Sequence, residues 1–289
     1  MGGLYEIFLS PFVEFGFMNR ALFGAIFLAV ATGPLGVFLI LRRMSLVADS
    51  MSHAILPGVA AGFLIAGVSL TAMLVGGMLT GLLVALLAGV VSRLTSLKED
   101  ASFAAFYLIS LGLGVMLLSL KGSNMDLLHV LFGSVLGLDD KALLFIMVVS
   151  SLTILLLSLI YRPLIIECLD PGFLRSEGGG GSLVHMLFLM LLVVNLVAGF
   201  QVLGTLMVVG MMMLPAAAAR FCARTVGSQL VMAALIGALS AYAGLVISYH
   251  YSVPASTAII LVAGLFYILG LLFGRQGGVI RSRISFFNQ

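Results

Sequence analysis

Long apolar stretches, separated by short polar or glycine-rich gaps, run through almost the whole chain. A helix that crosses a bilayer needs roughly 20 mostly apolar residues. Stretches of that kind fall at 21–41, 46–66, 70–92, 102–120, 142–160, 183–199, 201–215, 227–249 and 254–274. The seventh is short and nearly abuts the sixth across Gly199–Gly204, which reads as a half-helix or a broken helix. Met125–Leu138 is apolar but too short to span, and reads as a re-entrant or interfacial segment on the outer side. The pattern predicts an all-α, polytopic transmembrane helical bundle of about eight or nine spans. All of 1–289 forms one domain, with 1–20 as an outer amphipathic segment, 161–182 as a cytoplasmic loop and 275–289 as a cytoplasmic tail.

Composition agrees with this reading. Hydrophobic residues are 62% of the 289 and charged residues 9%, whereas an ordinary soluble domain is about a quarter charged because its surface meets water. No basic run points to nucleic acid, and Glu6 and Glu14 replace the basic start of a cleaved signal. Cys168 and Cys222 are too few for a disulfide framework and fall on the side where thiols stay reduced. If the first span exits to the cytoplasm at Arg42-Arg43, then Arg42, Arg43, Arg93, Lys98, Arg162, Arg175, Arg220, Arg224, Arg275, Arg281 and Arg283 all fall inside. Only Arg20, Lys121 and Lys141 fall outside. The asymmetry places the N-terminus outside and the C-terminus inside, and asks for an odd number of spans. The 161–182 loop ends in Gly178–Ser182, a hinge by composition with the make-up of an engineered linker unit.

With so few charges, each carboxylate can be placed. All but one, Glu99, Asp100 and Glu167 among them, fall in loops or flanks. Asp49 alone sits inside an apolar run, and His53 follows four residues later, on the same face of a helix. An intramembrane carboxylate costs several kcal/mol unless paired or coordinated. Carboxylate oxygen with imidazole nitrogen suits zinc, manganese or ferrous iron. Against this stands a plainer reading, with Asp49 capping a helix near the interface and His53 merely packed. Two ligands do not complete a tetrahedral site, but a symmetric dimer would bring a second pair to its axis. Met211–Met213, a soft cluster, reads mainly as packing. There is no phosphate-binding G-x-x-x-x-G-K-[ST] loop and no H-E-x-x-H or G-x-S-x-G. The chain reads as a non-enzyme, and any ATP-driven work needs a separate subunit.

The stretch Gly33–Gly58, centred on Ala48-Asp-Ser-Met-Ser-His53, closely resembles the permease subunits of bacterial zinc/manganese/iron ABC importers. Leu128–Gly137, Leu169–Gly178 and Val202–Arg220 resemble later blocks of that family in the same order. The family's glycine before the aspartate is Ala48 here, and Ser102-Phe-Ala-Ala replaces its Gly-Ile pair. The resemblance implies an inner-membrane importer subunit in which Asp49 and His53 line the metal path. It implies a cytoplasmic coupling helix at 215–226, starting at Pro215, with Arg220 and Arg224 facing the ATPase. It also implies a second copy of the chain, a cytoplasmic ATPase dimer and an extracytoplasmic metal-binding protein as partners. No cofactor is permanently bound, and the cargo is zinc or manganese, with ferrous iron admitted and a slight lean to zinc. An ion-coupled secondary transporter is the main rival, and it would need coupling carboxylates beyond Asp49. A membrane-embedded enzyme would need a further buried base or nucleophile.

Overall fold

The computed structural model describes residues 10–67, 69–120, 138–170, 180–276 and 278–279. The expected outer segment around Met125–Leu138, with His129, lies almost wholly outside these residues. So do Arg175, most of the glycine run and nearly all of the C-terminal tail. Every described element is a helix: α1 Ser10–Glu14, α2 Gly16–Leu41, α3 Val47–Ala54, α4 Leu56–Ala66, α5 Leu70–Leu94, α6 Glu99–Leu120, α7 Asp140–Leu159, α8 Tyr161–Leu169, α9 Gly181–Leu203, α10 Thr205–Cys222, α11 Val226–Tyr251 and α12 Ala255–Phe273. Counting α3 and α4 as one broken span, nine of the described stretches are long and apolar enough to cross a membrane. Backbone groups in lipid must be satisfied within the segment, which leaves the helix as the form such apolar runs take.

The junction at Gly199–Gly204 proves to be a reversal. α9 continues to Leu203, and Gly204 alone turns the chain at φ +88° before α10 starts at Thr205. The left-handed conformation costs an L-residue a steric penalty that glycine escapes. The two helices then pack back to back, with Gly199 against Val208. The seventh span is therefore a full helix of 18 residues, longer than its apolar run because Pro215 and the alanines after it stay helical.

α2 lies at the centre, packed against α7, α10 and α11, while α3, α4, α5 and α6 form a second group joined to it chiefly through α9. Backbones approach very closely at two crossings. Gly36 of α2 faces the Met212 carbonyl of α10, and Gly58 of α4 faces Gly76 of α5; at both a methyl group would overlap a carbonyl oxygen. Small residues at such crossings let helices gain van der Waals contact where no hydrophobic force drives association. Away from the core, Val75, Leu79, Leu83 and Leu86 of α5 form an exposed apolar stripe, the face expected toward lipid.

Side-chain contacts tie the helix ends into two opposite layers. At one end Arg20 donates to the Leu138 carbonyl at 3.0 Å and pairs with Asp140 at 3.4 Å, and Phe15 meets Tyr249. At the other, Arg42, Glu99, Glu167 and His185 converge, and the Gln276 N–H donates to the Phe221 carbonyl. Arg42, Arg43, Lys98, Arg162, Arg220, Arg224 and Arg275 all lie at this second, basic end.

Two expected elements take a different form. The 161–182 loop begins as the helix α8, and Gly181-Ser182 are already the first turn of α9. The coupling helix expected at 215–226 is not a separate element. Pro215–Cys222 complete α10, because Pro215 is accommodated inside that helix, and a tight turn at Ala223–Thr225 leads into α11. A reciprocal cap between Thr225 and Ser228 fixes that turn.

Candidate functional site

The span carrying Asp49 and His53 is broken. α3 and α4 are separated by Ile55, because Pro57 cannot donate to the carbonyl four residues before it. α3 buries Val47, Ala48, Met51 and Ala54 against the rest of the bundle. Leu46, Asp49, His53 and Leu56, spaced three and four apart, therefore share the opposite side. The Asp49 carboxylate is 3.8 Å from His53 Nε2, and their side chains are 64% and 32% exposed. Asp49 lies three residues inside the helix, after an N-cap at Leu46 that makes no side-chain bond, so the capping alternative is set aside. The Ser52 hydroxyl donates to the Asp49 carbonyl at 2.7 Å, and the Tyr107 ring lies against the His53 imidazole, centroids 5.9 Å apart.

Exposure here carries the argument. A carboxylate facing hydrocarbon is expensive, and such groups turn to a bundle interior or a watery cavity. Among the described residues the Asp49 carboxylate has His53 as its neighbouring ionisable group and is otherwise largely exposed. No group of three or more histidine, cysteine, aspartate or glutamate side chains able to hold a metal occurs among the described residues. Met211 and Met212 are fully buried in the core and offer their thioethers to nothing outside it. The apolar crevice between α2, α7 and α11, about 340 Å³ in volume, is lined by no carboxylate or imidazole.

The buried charges lie elsewhere, in a cluster that sequence reasoning missed. Glu167 and Arg42 are almost wholly buried, with Glu167 Oε1 at 3.8 Å from Arg42 Nη2. Arg42 Nη1 is 2.6 Å from His185 Nδ1, and its guanidinium lies over the Phe188 ring. An arginine only donates, so Nδ1 accepts and the neutral ring carries its proton on Nε2, which lies 2.6 Å from Glu99 Oε1. Glu99 and Glu167, expected in flanks, thus face the end of α2 and the start of α9. His185 serves as a bridge more than as packing. Burial pushes the neighbouring Cys168 thiol up to about 11, against the lowering effect of Arg42 and with a smaller rise from Glu167. It is neutral at pH 7 and adds no charge. Removing one partner of a buried ion pair strands the other. Glu167→Ala is therefore expected to destabilise the protein by about 3 kcal/mol, read as a lower unfolding midpoint in detergent. The double variant Arg42→Met/Glu167→Met should recover much of the loss.

Pro215 is buried within α10, while Arg220 and Arg224 are exposed at the basic end. Neither arginine forms an ion pair with Asp49 among the described residues.

The family model described as ABC 3 transport family matches residues 14–274. The manganese transport system membrane protein MntC of Halalkalibacterium halodurans is 32% identical over 274 residues, covering 94% of this chain and 92% of that protein. The manganese import system permease protein ScaB of Streptococcus parasanguinis is 32% identical over 262 residues, covering 91% and 92%. A solved structure of PsaBC from Streptococcus pneumoniae in complex with Fab superposes with a TM-score of 0.82 at 30% identity, covering 97% of this chain and 99% of that one.

Proposed function

Since the chain belongs to the ABC 3 transport family, its role being that of a metal-importer permease, we propose that it forms a homodimeric pore carrying manganese inward by alternating access. The observation that carries this reading is the outward-facing Asp49–His53 pair on a membrane-spanning helix. A second copy related by a two-fold axis covers that stripe and brings two carboxylates and two imidazoles around one ion. The ligands replace part of the ion's hydration shell, and their exposure within each chain allows the ion to leave when the halves separate. The lean to zinc gives way to manganese because MntC and ScaB, each 32% identical to this chain, are named for manganese, and because carboxylate oxygen suits manganese while imidazole suits zinc and iron alike.

The concentration of arginine and lysine at one end supports a cytoplasmic location for that end, in an inner-membrane protein with the N-terminus outside and the C-terminus inside. The end of α10 with Arg220, and the capped turn after it with Arg224, then face the cytoplasm with α8, Pro215 lying behind them in α10. This surface docks the ATPase dimer that the chain itself lacks the phosphate loop to be. An extracytoplasmic binding protein delivers the ion to the opposite end, and ATP turnover rocks the helices so that one side opens as the other closes.

Expression with its ATPase and binding protein in a strain lacking manganese uptake should restore accumulation of radioactive manganese. The ATPase should co-purify with this chain, and Arg220→Glu/Arg224→Glu should weaken that association. Accumulation of zinc with no manganese would move the cargo assignment. Uptake without any ATPase subunit would favour the ion-coupled rival.

A further inference from the structure

The break between α3 and α4 leaves a carbonyl without its helical partner. In a continuous helix the Gly58 N–H would donate to the Ala54 carbonyl. Here it donates instead to Ile55, at 3.1 Å, and the Val59 N–H shares that acceptor at 3.2 Å. The released Ala54 carbonyl, one residue after His53, receives the Ser110 hydroxyl of α6 at 2.7 Å. Ser110 is 4% exposed. Hydroxyls in membrane helices commonly bond back to their own backbone, as Thr32, Thr80, Thr153 and Ser240 do with the carbonyl four residues earlier. Ser110 instead reaches across to another helix.

Its neighbours on α6 meet the same break. Tyr107 lies against His53. At Gly114 an added methyl would come within 3.1 Å of the Pro57 nitrogen and 3.3 Å of its Cδ. Tyr107, Ser110 and Gly114 are spaced three and four apart, one stripe of α6. The stripe matches the break group by group: a ring on the histidine, a hydroxyl on the orphan carbonyl and bare backbone against the proline. We propose that this stripe, with Ser110 at its centre, holds the bend that aims His53, and that Ser110 is a positioning residue for the metal ligands. The inference rests on the reading of Asp49 and His53 as ligands.

α6 provides its own control. The Ser102 hydroxyl donates to the Ala88 carbonyl of α5 at 3.1 Å, also across helices and also buried, but two turns away from the break. The two bonds differ in what their loss leaves behind: the Ala88 carbonyl lies inside α5 and keeps its own helical donor four residues on, whereas the Ala54 carbonyl at the break is left unpaired.

The test is manganese affinity of the permease–ATPase assembly in nanodiscs, titrated with Mn2+ and read by electron paramagnetic resonance. Ser110→Ala should raise Kd about tenfold, the size of effect one unpaired buried acceptor produces. Ser110→Thr, which keeps the hydroxyl, should return Kd to within about twofold of the native value. Ser102→Ala, which removes a buried bond within the same group of helices but away from the break, should leave Kd unchanged. Native affinity in Ser110→Ala, or equal weakening in Ser102→Ala and Ser110→Ala, overturns the proposal. If Ser110→Ala fails to assemble, Tyr107→Leu reads the same effect, and native affinity there counts against it. Asp49→Ala separates the two levels. Abolished binding in Asp49→Ala beside native binding in Ser110→Ala sinks the positioning role alone, whereas native binding in Asp49→Ala sinks the ligand assignment beneath it.

Discussion

Asp49→Ala and His53→Ala should each abolish manganese uptake in cells while leaving the protein in the membrane, in the dimer and with the ATPase proposed above. Asp49 lies on the exposed side of α3 and His53 gives up a ring contact with Tyr107 but no buried hydrogen bond, so removing either costs the fold little. For the ion each change is severe. In a two-plus-two arrangement one substitution in the gene removes two of four ligands, because both copies carry it. An ion stripped of its water without replacement ligands faces a desolvation cost far above thermal energy. Uptake should fall below detection, and Asp49→Asn, which keeps shape but not charge, should fall nearly as far. Accumulation at native rates in both alanine variants, with normal protein levels in the membrane, would refute the ligand assignment.

Gly36→Val prevents accumulation of folded protein altogether. The expectation differs in kind, since the residue is remote in role from the metal. Any Cβ at position 36 overlaps the Met212 carbonyl and crowds the Ala216 methyl group. The obstacle is backbone, which cannot rotate aside as a side chain can, so α2 and α10 must move apart. α2 is the helix around which α7, α10 and α11 pack. Overpacking a good core costs about 1–3 kcal/mol when side chains yield, and a backbone obstacle exceeds that range. The check is membrane abundance and monodispersity in detergent. Gly112→Val, at an open position of α6 where nothing lies within reach of a Cβ, should remain near native. Native abundance of Gly36→Val would show that the crossing can widen without harm.

The helical bundle was legible because lipid imposes one rule on every span, and apolar runs of the required length state that rule openly. What escaped was set by partners distant in sequence. Pro215 suggested the start of a new helix, yet α10 runs through it. Gly199–Gly204 suggested a fracture, and a single left-handed glycine makes it a reversal. Asp49 was found by its company in the sequence, apolar neighbours and a histidine one turn on. The same search passed over Glu167, whose neighbours in sequence are those of a flank. Its burial depends on Arg42, and no local pattern links them. The bend behind His53 was half visible in Pro57, but the hydroxyl that answers it comes from residue 110.

The buried arginine also bears on how the chain is made. Arg42 meets His185, which lies 143 positions later. At a synthesis rate of about 5–20 residues per second, about seven to thirty seconds separate them. Until Glu167 is made Arg42 lacks the carboxylate it pairs with in the folded protein, and at the membrane surface a lone cation is tolerable. Asp49 follows it by only seven residues, and the helix that carries it rests on helices not yet synthesised. The turn carrying Asp49 and His53 is thus among the first parts to emerge and among the last to settle, and a ribosome stalled before residue 167 would leave it exposed to membrane proteases.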